Sequence, residues 1–70
     1  MKVGEIYIST WAHGDIYINQ ITKINQGVVY YRPLKVLKAK SSNYGVSQSS
    51  ISEFLKYSRP LTDELKAELL

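Results

Sequence analysis

The chain has no cysteine among its 70 residues. Disulfides and thiolate metal sites are therefore excluded, and the fold must depend on a hydrophobic core. A chain of this length makes one domain, close to the lower limit for a core acting alone. We predict a single small domain over residues 1–70.

Long apolar runs are also missing. The opening Met-Lys-Val-Gly-Glu lacks the apolar run of a signal peptide, and no stretch approaches membrane-spanning length. We therefore expect a cytoplasmic protein without membrane contact. A hydrophobic content of 44% argues against disorder.

Residue patterns that carry catalysis are scarce. His13 is the only histidine and the chain has no cysteine, so the usual further ligands of a metal site are missing. We expect His13 to belong to a turn. The serines lie outside any Gly-x-Ser-x-Gly elbow, and the glycines lack the Gly-Lys-Ser/Thr pairing of a phosphate loop. We predict a non-enzymatic protein without metal or cofactor.

Acidic residues are missing from the middle of the chain. None lies between Asp15 and Glu53, although five cations do. These are Lys23, Arg32, Lys35, Lys38 and Lys40. With a net charge of +3 and a pI near 9.3, the composition favours acidic partners.

Alternation predicts two strands near the start of the chain. Residues 4–11 place Ile6 and Ile8 on one face, which is the period of a half-buried strand. A turn over residues 12–15 leads to a second strand over 16–24. The isoleucine phase slips there, which predicts a bulge near Asn19-Gln20. A helix over 16–24 is the alternative, and its β-branched residues disfavour it.

The middle of the chain predicts a hairpin followed by weaker strands. Asn25-Gln26-Gly27 suits a type I turn followed by a left-handed glycine, and Val28 to Arg32 returns as a third strand. Pro33 should end this strand or confine it to an edge. Residues 34–40 form a fourth strand or a mobile loop. Residues 41–45 read as a loop, and 46–48 as a short strand leaving it.

Capping signals predict two short helices. Ser50-Ile51-Ser52-Glu53 has capping-box spacing and begins a one-turn helix near 51–56. Thr62 caps a C-terminal helix near 63–70, whose leucine stripe must dock on the rest of the domain or on a second chain. The sum is a mainly β protein, an antiparallel barrel of four to five short strands with one helix before the last strand and one at the end.

Three segments resemble small SH3-like barrel proteins encoded by phages and prophages. They are residues 2–7, residues 21–32 and residues 52–61. The resemblance covers 2–32 and 50–62, while the segment 35–49 and the terminal helix have no counterpart. It implies an SH3-like antiparallel barrel from a mobile element, in a group mostly without assigned function, and it carries over no catalytic residue.

Tyrosines interleaved with cations predict a contact surface. The contact candidates are Tyr30, Tyr31, Arg32, Lys35, Lys38 and Lys40, with Tyr7 and Tyr17 as further rings. Such a surface fits a host or phage protein partner, because aromatic residues anchor interfaces. The alternative is single-stranded DNA or RNA, held by stacking on the rings and by phosphate contacts. A solvated basic face without a ligand is the third interpretation.

Two apolar features leave further alternatives open. Trp11, at a strand end beside a glycine turn, is a core residue or an exposed interface anchor, and we favour the core because it is the lone tryptophan of a 70-residue domain. The C-terminal leucines cover the barrel or join a homodimer through the terminal helix. A self-assembling structural component is the remaining alternative.

Overall fold

The computed structural model, which describes residues 1–39 and 47–70, contains one antiparallel sheet of five strands and two short helices. The elements in chain order are β1 (Ile6–Thr10), β2 (Ile16–Asn25), β3 (Val28–Lys38), β4 (Ser47–Ser50), α1 (Ile51–Tyr57), β5 (Ser58–Pro60) and α2 (Asp63–Leu69). The predicted mainly β class and both predicted helices are confirmed. The predicted loop over 41–45 and the first residue of the predicted strand 46–48 lie outside the described residues.

The strand order in the sheet is β4-β3-β2-β1-β5. The edge strands are therefore β4 and β5, and α1 joins them directly. Within the described residues no ladder of hydrogen bonds connects these two edges, so the sheet does not close on itself.

The β2–β3 hairpin has a tighter turn than predicted. Asn25 pairs with Val28, which leaves Gln26 and Gly27 as a two-residue loop. Both loop residues have positive φ, 49° for Gln26 and 76° for Gly27. This is the signature of a type I′ turn, whose twist matches that of the flanking strands, so the predicted type I turn is wrong.

β3 is one long strand rather than two. It runs through Pro33 to Lys38, so residues 34–38 of the predicted strand over 34–40 are its second half, and residue 40 lies outside the described residues. Its register against β2 shifts at Leu34, directly after Pro33. The ladder between β3 and β4 covers only Val28 to Tyr31. Pro33 is therefore tolerated because it lies next to a bulge and past the end of that ladder.

A register shift lies between Ile18 and Asn19, close to the predicted bulge near Asn19-Gln20, but its extra residue, Leu34, belongs to β3 and does not cause the phase slip in β2. Ile18 pairs with Ile8 and Ile21 pairs with Tyr31, so the two isoleucines lie on opposite faces, and both are fully buried. The extra residue of β2 is Thr22, where the register against β3 shifts. Apolar residues on both faces of a strand imitate a slip in phase.

The core lies on the face of β1 opposite to the predicted one. Tyr7 and Ser9 are buried, whereas Ile6 and Ile8 are half-buried. The Tyr7 ring meets the ring of Phe54 edge-on, with centroids 5.4 Å apart. Because α1 brings Phe54 to this face, the tyrosine rather than the isoleucines points into the core. We call this the core face and its opposite the outer face.

Aromatic rings form most of the core. Phe54 is fully buried, and its ring lies 4.8 Å from that of Tyr31 and 6.3 Å from that of Trp11. Trp11 is half-buried and stacks on Tyr31 at 6.0 Å. Ile21 and Val29 complete the buried cluster. Trp11 therefore packs against the core, in agreement with the favoured interpretation.

Three polar side chains are buried beside this cluster. The Ser9 and Ser58 hydroxyls share a hydrogen bond of 2.7 Å, and Asn19 Nδ2 donates to Ser9 Oγ at 2.9 Å. The three residues belong to three adjacent strands, β5, β1 and β2. Their mutual hydrogen bonds allow polar groups to be buried at little cost.

Both helices begin at the predicted caps. Ser50 Oγ accepts from the Glu53 amide and Thr62 Oγ1 accepts from the Leu65 amide, each at 3.2 Å. The residues of α2 are half-buried or exposed. Within residues 1–39 and 47–70, no helix has the length and hydrophobicity needed to cross a membrane.

Candidate binding surface

Four cross-strand pairs bring cations onto the outer face. Lys23 pairs with Tyr30, Gln20 with Arg32, Ile18 with Lys35, and Ile16 with Lys38. Side chains of directly opposed residues project from the same face of a sheet. Tyr31 lies between Tyr30 and Arg32 in the chain and points into the core, which places its two neighbours on the outer face.

The basic patch, defined as Lys23, Tyr30 and Arg32, has internal contacts. Lys23 Nζ lies 5.4 Å from the centroid of the Tyr30 ring, within the range of a cation–π interaction. Arg32 Nη2 donates to Gln20 Oε1 at 3.3 Å. Both cations are exposed and the tyrosine is half-buried. These contacts orient the two cations without neutralising either of them.

The strands that carry the basic patch have charge of one sign. None of the five strands of the described chain contains an acidic residue. The acidic residues of the described chain lie outside the strands: Glu5 directly before β1, Asp15 in the turn, Glu53 in α1, and Asp63, Glu64 and Glu68 in α2. The patch therefore presents positive charge on a hydrogen-bonded strand pair.

Tyr31 does not belong to this surface. Its side chain is only 6% exposed and its hydroxyl shares a hydrogen bond of 2.7 Å with Ser49. Tyr7 is also in the core, and Tyr17 donates to Asp15 Oδ2 at 3.0 Å. Of the four tyrosines considered as contact rings, Tyr7 and Tyr31 therefore belong to the core, and only Tyr30 is on the outer face beside the cations, since neighbouring residues of a strand point to opposite faces.

The pKa values of the two core tyrosines, Tyr7 and Tyr31, are raised, which favours the neutral form of each side chain. Burial raises the pKa of Tyr7 above its ordinary value of 10.0, and the charge of Glu5 adds to the effect. Burial also raises the pKa of Tyr31; the Ser49 hydrogen bond opposes this increase and the charge of Glu53 adds to it. Both side chains act as neutral packing groups at physiological pH.

The predicted lysines have different positions. Lys35 Nζ donates to the Leu69 carbonyl at 2.8 Å, so this ammonium group holds the end of α2 on the outer face. Lys38 is exposed at the last position of β3, opposite Ile16. Lys40 lies outside the described residues.

His13 lies in the turn between β1 and β2, as expected. Its Nε2 atom is 3.1 Å from Oδ2 of Asp15, whose carboxylate is buried and also accepts from Tyr17. The Asp15 carbonyl accepts from the Trp11 amide at 2.9 Å, which closes the turn. In the part of the chain that the structure describes, no group of three metal-ligating side chains comes together.

The sequence prediction missed Lys23 as a contact residue. The pairing of Lys23 with Tyr30 follows from a hairpin with a two-residue loop and a bulge at Thr22. The predicted three-residue loop gives a different register, in which these two residues are not paired.

Comparison with known proteins gives no relative: no family model, no curated protein and no solved structure matches the chain.

Proposed function

We propose that the protein is a non-enzymatic, cytoplasmic binding module whose basic patch binds an acidic surface of another protein. The observation that carries this proposal is the alignment of Lys23, Tyr30 and Arg32 on a hydrogen-bonded strand pair whose strands contain no acidic residue. A tyrosine between two cations supplies a flat anchor, and the cations complement carboxylates and speed association.

The proposal also covers the type of barrel and the phage or prophage origin of the protein. The strand order, with the two edge strands joined by α1, is compatible with an SH3-like barrel that is open between β4 and β5. We take the partner to be a host or phage protein, because the segments 2–32 and 50–62 resemble SH3-like proteins of phages and prophages.

A protein partner is favoured over single-stranded nucleic acid by the number of accessible rings. Stacking of successive bases needs several exposed aromatic faces. Of the four tyrosines considered for this role, Tyr7 and Tyr31 are buried in the core, and the Tyr30 ring already has Lys23 beside it. The patch therefore offers charge and one ring, which suits a folded acidic surface.

Photo-crosslinking from position 30 tests the proposal. Benzoylphenylalanine at Tyr30 keeps an aromatic side chain in the patch, and we expect one dominant adduct with a protein that has an acidic surface. Lys23→Glu with Arg32→Glu should abolish the adduct. Lys2→Glu with Lys66→Glu makes the same change in net charge outside the patch, and the adduct should persist.

The opposite pattern would reject the proposal. An adduct that survives Lys23→Glu with Arg32→Glu, or no adduct at all, would show that the patch does not bind a protein. Fluorescence anisotropy with single-stranded DNA and RNA at about 50 mM salt tests the alternative. Binding that this pair of substitutions removes would assign the patch to nucleic acid instead.

A further inference from the structure

A cleft lies beside β5, separate from the basic patch. Its volume is about 420 Å³, within the range of about 300–1,000 Å³ of known ligand sites. Ile8 of β1 lines one side, Leu55 and Tyr57 of α1 line the other, and the cations Lys56 and Arg59 complete the lining. The two walls come from β1 and α1, so the cleft is built on regular elements.

The charge of the cleft is positive. Lys56 and Arg59 are both exposed, and the described lining contains no carboxylate. Lys56 Nζ lies 5.4 Å from the centroid of the Tyr57 ring. The cleft therefore complements an anionic group.

Among residues 1–39 and 47–70, the apolar side chains of the cleft remain partly exposed to water. Leu55 is 49% exposed, although Phe54 beside it is fully buried. Ile8 is half-buried on the opposite wall. An apolar side chain placed between them would remove both from water, at about 25 cal/mol per Å² of surface covered.

The free edge of β5 is poorly suited to the addition of a partner strand. The Leu61 amide donates to the Ile6 carbonyl at 2.9 Å, so the backbone groups of Leu61 point toward β1. Backbone groups alternate along an antiparallel strand, which turns the nitrogen of Pro60 toward the free edge. Proline has no N–H to donate, so this edge offers fewer hydrogen bonds to a ligand backbone, which favours recognition through side chains.

We propose that this cleft binds a peptide segment of a partner protein in which a leucine or phenylalanine stands next to an aspartate or glutamate. The apolar side chain lies between Ile8 and Leu55, and the carboxylate pairs with Lys56 and Arg59. This site is independent of the basic patch and of its proposed partner.

Fluorescence of Trp11 provides the test. Trp11 is the only tryptophan, and its ring lies 5.7 Å from that of Tyr57 in the cleft wall. The whole chain is titrated with a pool of short peptides that contain aspartate, glutamate, leucine and phenylalanine in random order. We expect a saturable change in emission. A pool with asparagine and glutamine for the acids should bind at least about tenfold more weakly, because charge-assisted hydrogen bonds are lost.

Variants locate the binding. Lys56→Gln with Arg59→Gln should weaken binding of the acidic pool at least about tenfold, and Leu55→Ser should weaken it as well. Lys2→Gln with Lys66→Gln carries the same loss of charge outside the cleft and should bind as the unchanged chain does. Circular dichroism of each variant confirms that the fold is retained.

The following results would overturn the inference. They are an emission that the acidic pool does not change, equal affinity for both pools, equal weakening in the cleft variant and its control, and an equally strong response to adenosine monophosphate. The last result would show that the cleft recognises any anion. Loss of binding through Lys23→Glu with Arg32→Glu, with binding kept in the cleft variant, would place the peptide on the basic patch instead.

Discussion

Single side chains determine how the core accommodates polar atoms. Ser9 is fully buried and stands at the centre of the polar cluster, because it bonds both Ser58 and Asn19. The cluster joins three neighbouring strands beside an aromatic core. It contributes to the alignment of β5, the shortest strand, with the rest of the sheet.

Removal of the central hydroxyl should be costly. We expect Ser9→Ala to lower the free energy of unfolding by about 2–3 kcal/mol, because each buried polar group left without a partner costs about 1–3 kcal/mol. Ser47→Ala, at an exposed position of β4, should change it by less than about 0.5 kcal/mol. Urea denaturation measures both values. Equal effects of the two substitutions would contradict a stabilising role for the cluster.

The core tyrosines predict a loss of stability at alkaline pH. Their pKa values are raised above 10.0 in the folded protein, so the unfolded chain releases these protons first. The folded state then binds more protons than the unfolded state, and the free energy of unfolding falls as pH rises above about 10. Below that pH the contribution is fully present. Tyr31→Phe should make the alkaline decrease less steep in urea denaturation, and an unchanged slope would contradict the assignment.

The elements differ in how firmly they are attached to the core. α1 carries Phe54 into the aromatic cluster, whereas the residues of α2 are half-buried or exposed. α2 is held by the Leu61 amide before its first turn and by Lys35 at its end. A change in α1 should therefore affect the whole domain, and a change in α2 should remain local.

The two helix caps allow a matched comparison of this difference. Ser50→Ala should lower the free energy of unfolding of the domain by about 1 kcal/mol, the usual cost of a lost cap. Thr62→Ala removes an equivalent hydrogen bond but should leave this free energy nearly unchanged. It should instead speed amide hydrogen exchange within α2. If Thr62→Ala destabilises the domain as much as Ser50→Ala, the terminal helix is part of the cooperative core.

The hairpin turn leaves room for stabilisation. Gln26 has a φ of 49°, a left-handed conformation that asparagine adopts more readily than glutamine. We expect Gln26→Asn to raise the free energy of unfolding by up to about 1 kcal/mol, since the strain of this conformation is of that order. Thermal denaturation measures the change. A decrease in melting temperature would contradict the type I′ geometry.

Local sequence signals correctly predicted where the helices and the hairpin lie, but not which face of a strand points into the core. Cap residues located both helices, and glycine located the hairpin, because these signals act within a few residues. The inward face of β1 depends on Phe54, which is distant in sequence, and its tyrosine and isoleucines are all apolar enough to be buried. The continuity of β3 through Pro33 depends equally on a bulge that no local pattern shows.

The sequence predicted the positive charge of the candidate surface, but only some of the residues that form it. The gap in acidic residues correctly indicated that the central strands carry positive charge alone. Alternation along a strand requires that Tyr30 and Tyr31 lie on opposite faces, but the sequence does not decide which one faces the core. The capping role of Lys35 requires the position of α2, which is a tertiary property.

In the molecule as a whole, the two faces of the sheet carry different kinds of side chain. Aromatic packing and neutral tyrosines occupy the core face, and cations occupy the outer face of the strands. Exposed cations on such strands attract partners of the opposite sign over a distance of about 10 Å at moderate salt. The central claim is therefore that Lys23, Tyr30 and Arg32 form the contact surface for an acidic partner.

Chemical-shift mapping with short poly-glutamate tests this claim most directly. We predict that the amide signals of Lys23, Tyr30 and Arg32, and of their cross-strand neighbours Gln20 and Gln48, change most on titration at low salt and recover as salt is added. Changes spread evenly over the lysines of the molecule, or concentrated at Lys2 and Lys66, would contradict it.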